Sequence, residues 1–126
     1  MRIRRALAVT AVGVTLAVGA AAAPAGAAAA PSAGVTVTCG NAYWPHTDKD
    51  NGSGTINKSD GAAVHTGPYG ACTTVGTIGD GIKVEYECYS VNGYGNRWTW
   101  VRMVGGGSFG WVYNAYLDNG GATVRC

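Results

Sequence analysis

Hydrophobic and polar residues alternate along much of the chain after residue 60. The clearest run covers residues 82–89, where apolar side chains take every second position: Ile82, Val84, Tyr86 and Cys88. A period of two is typical of a β-strand that buries one face. Further strands are predicted at residues 62–65, 73–78, 97–104 and 110–113. Turns rich in Gly, Asn and Asp separate these runs, which indicates a small all-β barrel or sandwich.

The pattern of the remaining segments is weaker. No helical periodicity is present beyond residue 30. Residues 35–39 and 122–126 are predicted as short β-strands, and their matching Val/Thr-rich sequences favour pairing between the two ends of the chain. The segment from residue 40 to residue 61 is polar and rich in glycine, which predicts an extended loop.

The first thirty residues have the layout of a secretory signal peptide. Three arginines within the first five residues precede an uncharged apolar run over residues 6–18. Ala25-Gly26-Ala27 then supplies a small-residue cleavage site, and we expect cleavage after Ala27, with Ala29 as the second choice. A membrane anchor needs about 20 strongly apolar residues, so the shorter run favours secretion. The predicted organisation is a signal peptide at 1–27, an N-terminal strand and polar loop at 28–61, and a barrel with a C-terminal strand at 62–126.

Net charge does not indicate an anionic partner once the signal peptide is set aside. The chain of 126 residues has a formal charge of +2. Without the three N-terminal arginines, six basic residues face seven acidic ones and the charge becomes −1. Because the remaining basic residues are scattered, nucleic acid is a disfavoured partner. We expect a secreted monomer, extracellular or associated with the cell wall, with no membrane contact after cleavage.

The four cysteines of an exported chain predict two disulfide bonds. Three pairings are possible, and we favour Cys72–Cys88 and Cys39–Cys126. The first pairing follows from an antiparallel hairpin over residues 73–89 with Cys88 pointing inward, and the second from pairing of the two end strands. A zinc site is disfavoured because no two cysteines have the C-x₂-C spacing.

Several segments together resemble bacterial Src-homology-3 (SH3) domains. The matching pieces, in the family's order, are Val64-His65-Thr66-Gly67-Pro68, Thr74-Val75-Gly76-Thr77-Ile78 with Gly81-Ile82-Lys83-Val84, Trp98 to Val101, and Gly110-Trp111-Val112 with Tyr116-Leu117. The resemblance covers residues 62–117. It implies a five-stranded β-barrel with a 3₁₀ turn at residues 114–117. It also implies a non-catalytic domain that binds cell-wall peptide or peptidoglycan.

Aromatic residues are the most distinctive candidates for ligand binding. Alternation places Trp98, Trp100 and Arg102 on one face of a strand and Thr99, Val101 and Met103 on the other. We expect at least one of the two tryptophans to be exposed, and the resemblance favours Trp98 as the ligand contact. With Tyr113 and Tyr116 they would form an aromatic groove, and Tyr69 completes the candidate set. Alternatively, these aromatic side chains cover a thin barrel from outside.

Catalytic and metal chemistry have little support in the sequence. His46 and His65 are the only histidines, and an even cysteine count in an exported chain argues against a free catalytic thiol. His65 is expected to be a polar surface residue at a strand end. No serine lies in a G-x-S-x-G elbow. The segment that begins at Asp48 resembles a calcium loop but lacks the required Gly and Glu, so we predict no catalytic residue, no metal and no cofactor.

The predicted function is that of a secreted, non-catalytic, SH3-like module that binds cell-wall peptide or peptidoglycan. One alternative is a secreted factor or inhibitor that engages another exported protein, which a protruding loop within residues 40–61 would favour. Another alternative is a small hydrolase, which would need a pocket with convergent polar side chains.

Overall fold

The computed structural model describes residues 34–126 of the chain. The predicted signal peptide lies outside the described residues. The elements are β1 (Ser53–Thr55), β2 (Ala62–His65), β3 (Thr74–Ile78), β4 (Lys83–Val91), β5 (Arg97–Met103), β6 (Ser108–Tyr113) and a 3₁₀ turn (Asn114–Tyr116). The all-β class is therefore confirmed, and each of the five strands expected from alternation is present within a few residues of its predicted limits. In the described part of the chain, no helix has the length and apolarity needed to cross a membrane.

All six strands belong to one antiparallel sheet in the order β1-β4-β5-β6-β2-β3. The sheet is open, since β1 and β3 lie at its edges, and it has six strands where the resemblance implies a five-stranded barrel. The additional strand β1 lies within the segment predicted as a loop. Its sequence Ser-Gly-Thr carries no hydrophobic alternation. The middle position, Gly54, is glycine because a Cβ there would lie only 1.9 Å from Oη of Tyr86, which packs beneath it. Glycine at this position therefore permits the packing and also removes the sequence pattern of a strand.

The inner face of the sheet carries the main hydrophobic core. Strand alternation brings mostly aliphatic side chains to this face, and residues after β1 and after the 3₁₀ turn complete the cluster. Its buried members are Ile56, Ala62, Val64, Ile78, Val84, Tyr86, Val101, Val112, Leu117 and Ala122. A bridge between Ile56 and Leu117 joins the chain beyond β1 to the chain beyond the 3₁₀ turn and seals this core.

The outer face of the sheet carries a second cluster, formed by Trp98, Trp100 and Trp111. The predicted division of β5 is confirmed, because Val101 belongs to the inner core while the tryptophans lie on the opposite face. The prediction that one of these tryptophans is exposed is wrong, since Trp98 is 7% exposed and Trp100 is 8% exposed. The reason is that Trp44 and Cys126, from outside the sheet, and Tyr113 of β6 pack against the cluster.

The predicted disulfide pairing is also wrong. The bonds join Cys39 to Cys72 and Cys88 to Cys126, with Cα–Cα distances of 5.7 Å and 4.9 Å. The prediction required β3 and β4 to pair across their turn, but β3 pairs with β2 and β4 pairs with β1 and β5. Cys72 and Cys88 are therefore not brought together by a hairpin.

The two ends of the described chain do not pair with each other. The C-terminal residues instead follow β4: the Tyr89 N–H donates to Val124 O and the Cys126 N–H donates to Tyr89 O. This pairing brings Cys126 to Cys88. At the other end, the Gly40 N–H donates to Thr66 O, which brings Cys39 close to Cys72. The predicted terminal strands at residues 35–39 and 122–126 are thus replaced by two separate attachments.

Candidate binding groove

An aromatic groove crosses the outer face of the sheet and encloses about 430 Å³. Three of the five predicted ligand-binding residues line it, namely Trp98, Tyr113 and Tyr116. The other lining residues are Lys58, Asp60, Gly61, Ala63, His65, Gly70 and Thr77. The sheet register explains this assembly, because cross-strand partners share a face. Trp98 lies opposite Tyr113, and Ala63 lies opposite Thr77.

The three aromatic rings of the groove meet at angles rather than in parallel stacks. The ring centroids of Trp98 and Tyr113 are 5.3 Å apart with an interplanar angle of 42°, and those of Tyr113 and Tyr116 are 5.4 Å apart at 89°. Such tilted and edge-to-face contacts are favourable arrangements of aromatic quadrupoles. Each ring therefore packs against the next, and the three rings form one continuous aromatic wall.

One rim of the groove carries an exposed ion pair between Lys58 and Asp60. The hydrogen bond to Asp60 raises the pKa of the Lys58 ammonium, and the same bond lowers the pKa of the Asp60 carboxyl. Nζ of Lys58 also lies 5.3 Å from the centroid of the Tyr116 ring. This rim can therefore offer both a cation and an anion to a ligand beside an apolar wall.

His65 lies inside the groove, which corrects the expectation of a polar surface residue. It is 8% exposed, and its Nδ1 lies 2.8 Å from Cys72 O and 3.5 Å from Oγ1 of Thr74. Its ring meets Trp98 edge-on at 5.5 Å between centroids. The outward direction follows from the register, because His65 lies opposite Trp111, a member of the tryptophan cluster.

The other two predicted binding residues do not line this groove. Trp100 lines a neighbouring pocket of about 300 Å³ with His65, Thr66, Val75 and Phe109. One side of Trp100 is closed by the His46 ring, which stacks on it in parallel at 3.4 Å between centroids. Tyr69 is buried between Trp44 and Tyr94, and its hydroxyl oxygen accepts a hydrogen bond from the Gly93 N–H.

A third pocket, of about 340 Å³, is polar and lies near β1. Its carboxylates are engaged within the fold. Asp50 accepts hydrogen bonds from the backbone N–H groups of Gly52, Thr123 and Val124. Arg102 pairs with Asp48 and Glu85 at 3.3 Å and 3.4 Å. Within residues 34–126, no cluster of three His, Cys, Asp or Glu side chains has the geometry of a metal site.

Buried charge in this polar pocket stabilises the attachment of the C-terminal residues. Burial by itself raises the pKa of the Asp50 carboxyl, but the hydrogen bonds from Thr123, Gly52 and Val124 outweigh it, so the pKa lies below its ordinary value. The neighbouring Tyr86 has its pKa raised to about 12, mainly by burial and then by the charge of Asp118. Both groups therefore have a structural role that accounts for their position.

Sequence reasoning missed the polar half of the groove. Lys58, Asp60 and Gly61 lie in the segment predicted as a loop, and they reach the groove because that segment continues from β1 into β2. His65 was predicted to be at a strand end, which is correct, but its burial depends on neighbouring strands. The alternation of β2 was the available signal, since Ala63 and His65 share the face opposite to Val64.

Comparisons of this chain with protein-family models, with curated proteins and with solved structures give no match. Its function therefore has to be inferred from the chemistry of its own side chains.

Proposed function

We propose that this protein is an exported, non-catalytic binding module with an SH3-like barrel, and that its aromatic groove binds cell-wall peptide or peptidoglycan. The observation that carries the proposal is the juxtaposition of Trp98, Tyr113 and Tyr116 around one groove with a charged rim. Rigid aromatic walls with a few polar groups are typical of sites for extended ligands, because they provide contact area at a low entropic cost.

The SH3-like assignment is supported by the order of the elements. The pieces that resemble the family coincide with β2 to β6, and the expected 3₁₀ turn follows β6 at Asn114–Tyr116. The Ile56–Leu117 bridge joins the chain beyond β1 to the chain beyond the 3₁₀ turn beside the inner core, although the sheet itself is open. Export is supported by the two disulfide bonds, which are compatible with an extracellular protein.

The alternative of a protein-interaction factor depends on a protruding loop within residues 40–61. Residues 49–56 of this segment are instead held against the sheet. The N–H groups of Lys49 and Asp50 both donate to Glu87 O, and the Ile56 N–H donates to Ile82 O. This attachment therefore favours ligand binding at the groove over the alternative of a protein-interaction factor. The hydrolase alternative is disfavoured by the engaged carboxylates of the polar pocket.

The proposal is tested by co-sedimentation of the mature protein with purified peptidoglycan. Tyr116→Ala removes one wall of the groove at a half-buried position, and Tyr43→Ala is the matched control at a position that is 66% exposed and outside the groove. We expect the first variant to lose binding by about tenfold or more, as for loss of a central aromatic anchor. The control should bind like the wild type.

Soluble muropeptides should compete for the bound protein. The proposal is wrong if the wild type does not sediment with peptidoglycan, or if Tyr116→Ala and Tyr43→Ala bind equally well. Thermal unfolding of both variants checks that a loss of binding is not a loss of fold.

A further inference from the structure

The hydrogen-bond partner of His65 fixes the tautomer of its ring. Nδ1 lies 2.8 Å from the carbonyl oxygen of Cys72. Because a carbonyl can only accept, Nδ1 has to carry a proton. In the neutral ring, Nε2 then has a free lone pair and acts as an acceptor. Cys72 is itself held by its disulfide bond to Cys39, so the ring has a fixed orientation.

The free nitrogen of His65 remains available to a ligand. No hydrogen bond reaches Nε2 from any residue of the described part of the chain. His65 is 8% exposed as a whole, and it lines both the aromatic groove and the pocket beside it.

His65 also lies where two pockets meet. It lines the aromatic groove together with Trp98 and the neighbouring pocket together with Trp100. These tryptophans are two residues apart on β5, which corresponds to about 7 Å along a strand. A ligand that occupies both pockets is therefore an extended chain, and it passes over His65.

The aromatic geometry favours a peptide over a sugar chain. A sugar ring packs best on an open aromatic face. Here Trp98 is buried, Tyr113 meets Tyr116 edge-to-face, and Lys58 covers one side of the Tyr116 ring. No ring of the groove offers a wide open face, whereas an extended peptide needs narrow apolar walls and an acceptor for its N–H groups.

We propose that Nε2 of His65 is the specificity-determining acceptor of the aromatic groove and binds an N–H group of an extended peptide. This inference rests on the proposed function and names the part of peptidoglycan that the groove recognises, namely the peptide. The acceptor lies between Trp98 and Trp100 and inward of the Lys58–Asp60 rim, so it selects chains that present a donor at that point.

Two substitutions separate the roles of the two ring nitrogens. The amide nitrogen of His65→Asn can replace Nδ1 and keep the bond to Cys72 O, but this variant has no acceptor in place of Nε2. The amide oxygen of His65→Gln can replace Nε2 as an acceptor. The probes are the free stem peptide of peptidoglycan without sugar and a tetramer of N-acetylglucosamine without peptide, titrated by calorimetry.

We expect the wild type to bind the stem peptide and not the sugar tetramer. His65→Asn should weaken peptide binding by about tenfold, which is typical of the loss of one hydrogen bond. His65→Gln should stay within about threefold of the wild type. Thermal unfolding should show that His65→Asn is folded, so that its loss of affinity is assigned to Nε2.

Each other outcome overturns a defined part of the inference. Equal binding by the wild type and His65→Asn refutes the role of Nε2 and leaves the proposed function intact. Binding of the sugar tetramer alone refutes the peptide assignment. A wild type that binds neither these probes nor peptidoglycan refutes the proposed function together with the inference. Nitrogen NMR of the free protein gives a test without ligand, because a proton on Nε2 of the neutral ring contradicts the assigned tautomer.

Discussion

The two faces of the sheet bury hydrophobic side chains in different ways. The inner face carries the larger cluster, mostly aliphatic, in which side chains such as Ile56 and Val101 are fully enclosed. On the outer face, a smaller cluster of tryptophans is covered by Tyr113 of β6 and by residues from the two ends of the described chain. Where this cover ends, the outer face opens into the aromatic groove.

This difference separates stability from binding. The polar groups of the inner face are paired within the fold, since the Tyr86 hydroxyl donates to Asn119 and the Thr99 hydroxyl donates to Asn114. The outer face combines partly covered aromatic rings with His65 and a charged rim. Adjacent residues of the same strand supply both faces, so Thr99 and Val101 stabilise the fold while Trp98 lines the groove. Substitutions on the two faces should therefore have different consequences.

The largest expected effect is on the inner face. Ile56→Ala removes most of a side chain that is 1% exposed and should lower the free energy of unfolding by about 2–5 kcal/mol. Denaturant unfolding measures this change. The folded fraction should still bind peptidoglycan, and a loss of binding in fully folded protein would show that the two faces are not separable.

The two disulfide bonds should contribute nearly equal stability. Their cysteines are 33 and 38 residues apart in the sequence, and the chain-entropy contribution depends weakly on loop length. Replacement of either pair by serine should lower the free energy of unfolding by about 2–4 kcal/mol. Peptide mapping of the unreduced protein should recover Cys39 linked to Cys72, and a peptide that links Cys72 to Cys88 would contradict the topology.

A smaller, pH-dependent effect is expected at Asp50. Its folded-state pKa lies below the ordinary value of 3.8, so its contribution to stability is complete above that pH and is lost as the pH falls through the lowered pKa. Thermal unfolding as a function of pH should show this acid-side loss in the wild type. Asp50→Asn should be less stable at neutral pH and less sensitive to acid. Identical acid profiles for the two proteins would exclude this role.

Alternation along the sequence predicts the strands but not what covers them. The runs of β2 to β6 are rich in β-forming residues and are bounded by turns, and their positions were predicted for that reason, although β5 buries both of its faces. β1 was not predicted from the sequence. Gly54 takes the position that packs on Tyr86, and a strand with glycine at that position shows no hydrophobic alternation. The burial of Trp98 and Trp100 and the disulfide pairing depend on distant segments, which local patterns do not report.

The candidate site could be predicted in part for the same reason. Alternation assigns Trp98 to the outer face of its strand, and the resemblance to SH3 domains placed Tyr113 and Tyr116 near it. Tyr69 and Trp100 are aromatic as well, but other segments of the chain pack over them and keep them out of the groove. Lys58 and His65 line the groove because of the order of the strands in the sheet. That order depends on pairing between residues that are far apart in the sequence.

The central claim is that the aromatic groove is the binding surface, and NMR shift mapping with soluble muropeptides tests it most directly. The account predicts that titration moves the signals of Trp98, Tyr113, Tyr116 and His65 in one saturable process. The signals of Val101 on the inner face and Tyr43 outside the groove should stay unchanged. Saturable shifts centred on Tyr43 or on the polar pocket near Asp50, with the groove signals unmoved, would contradict it.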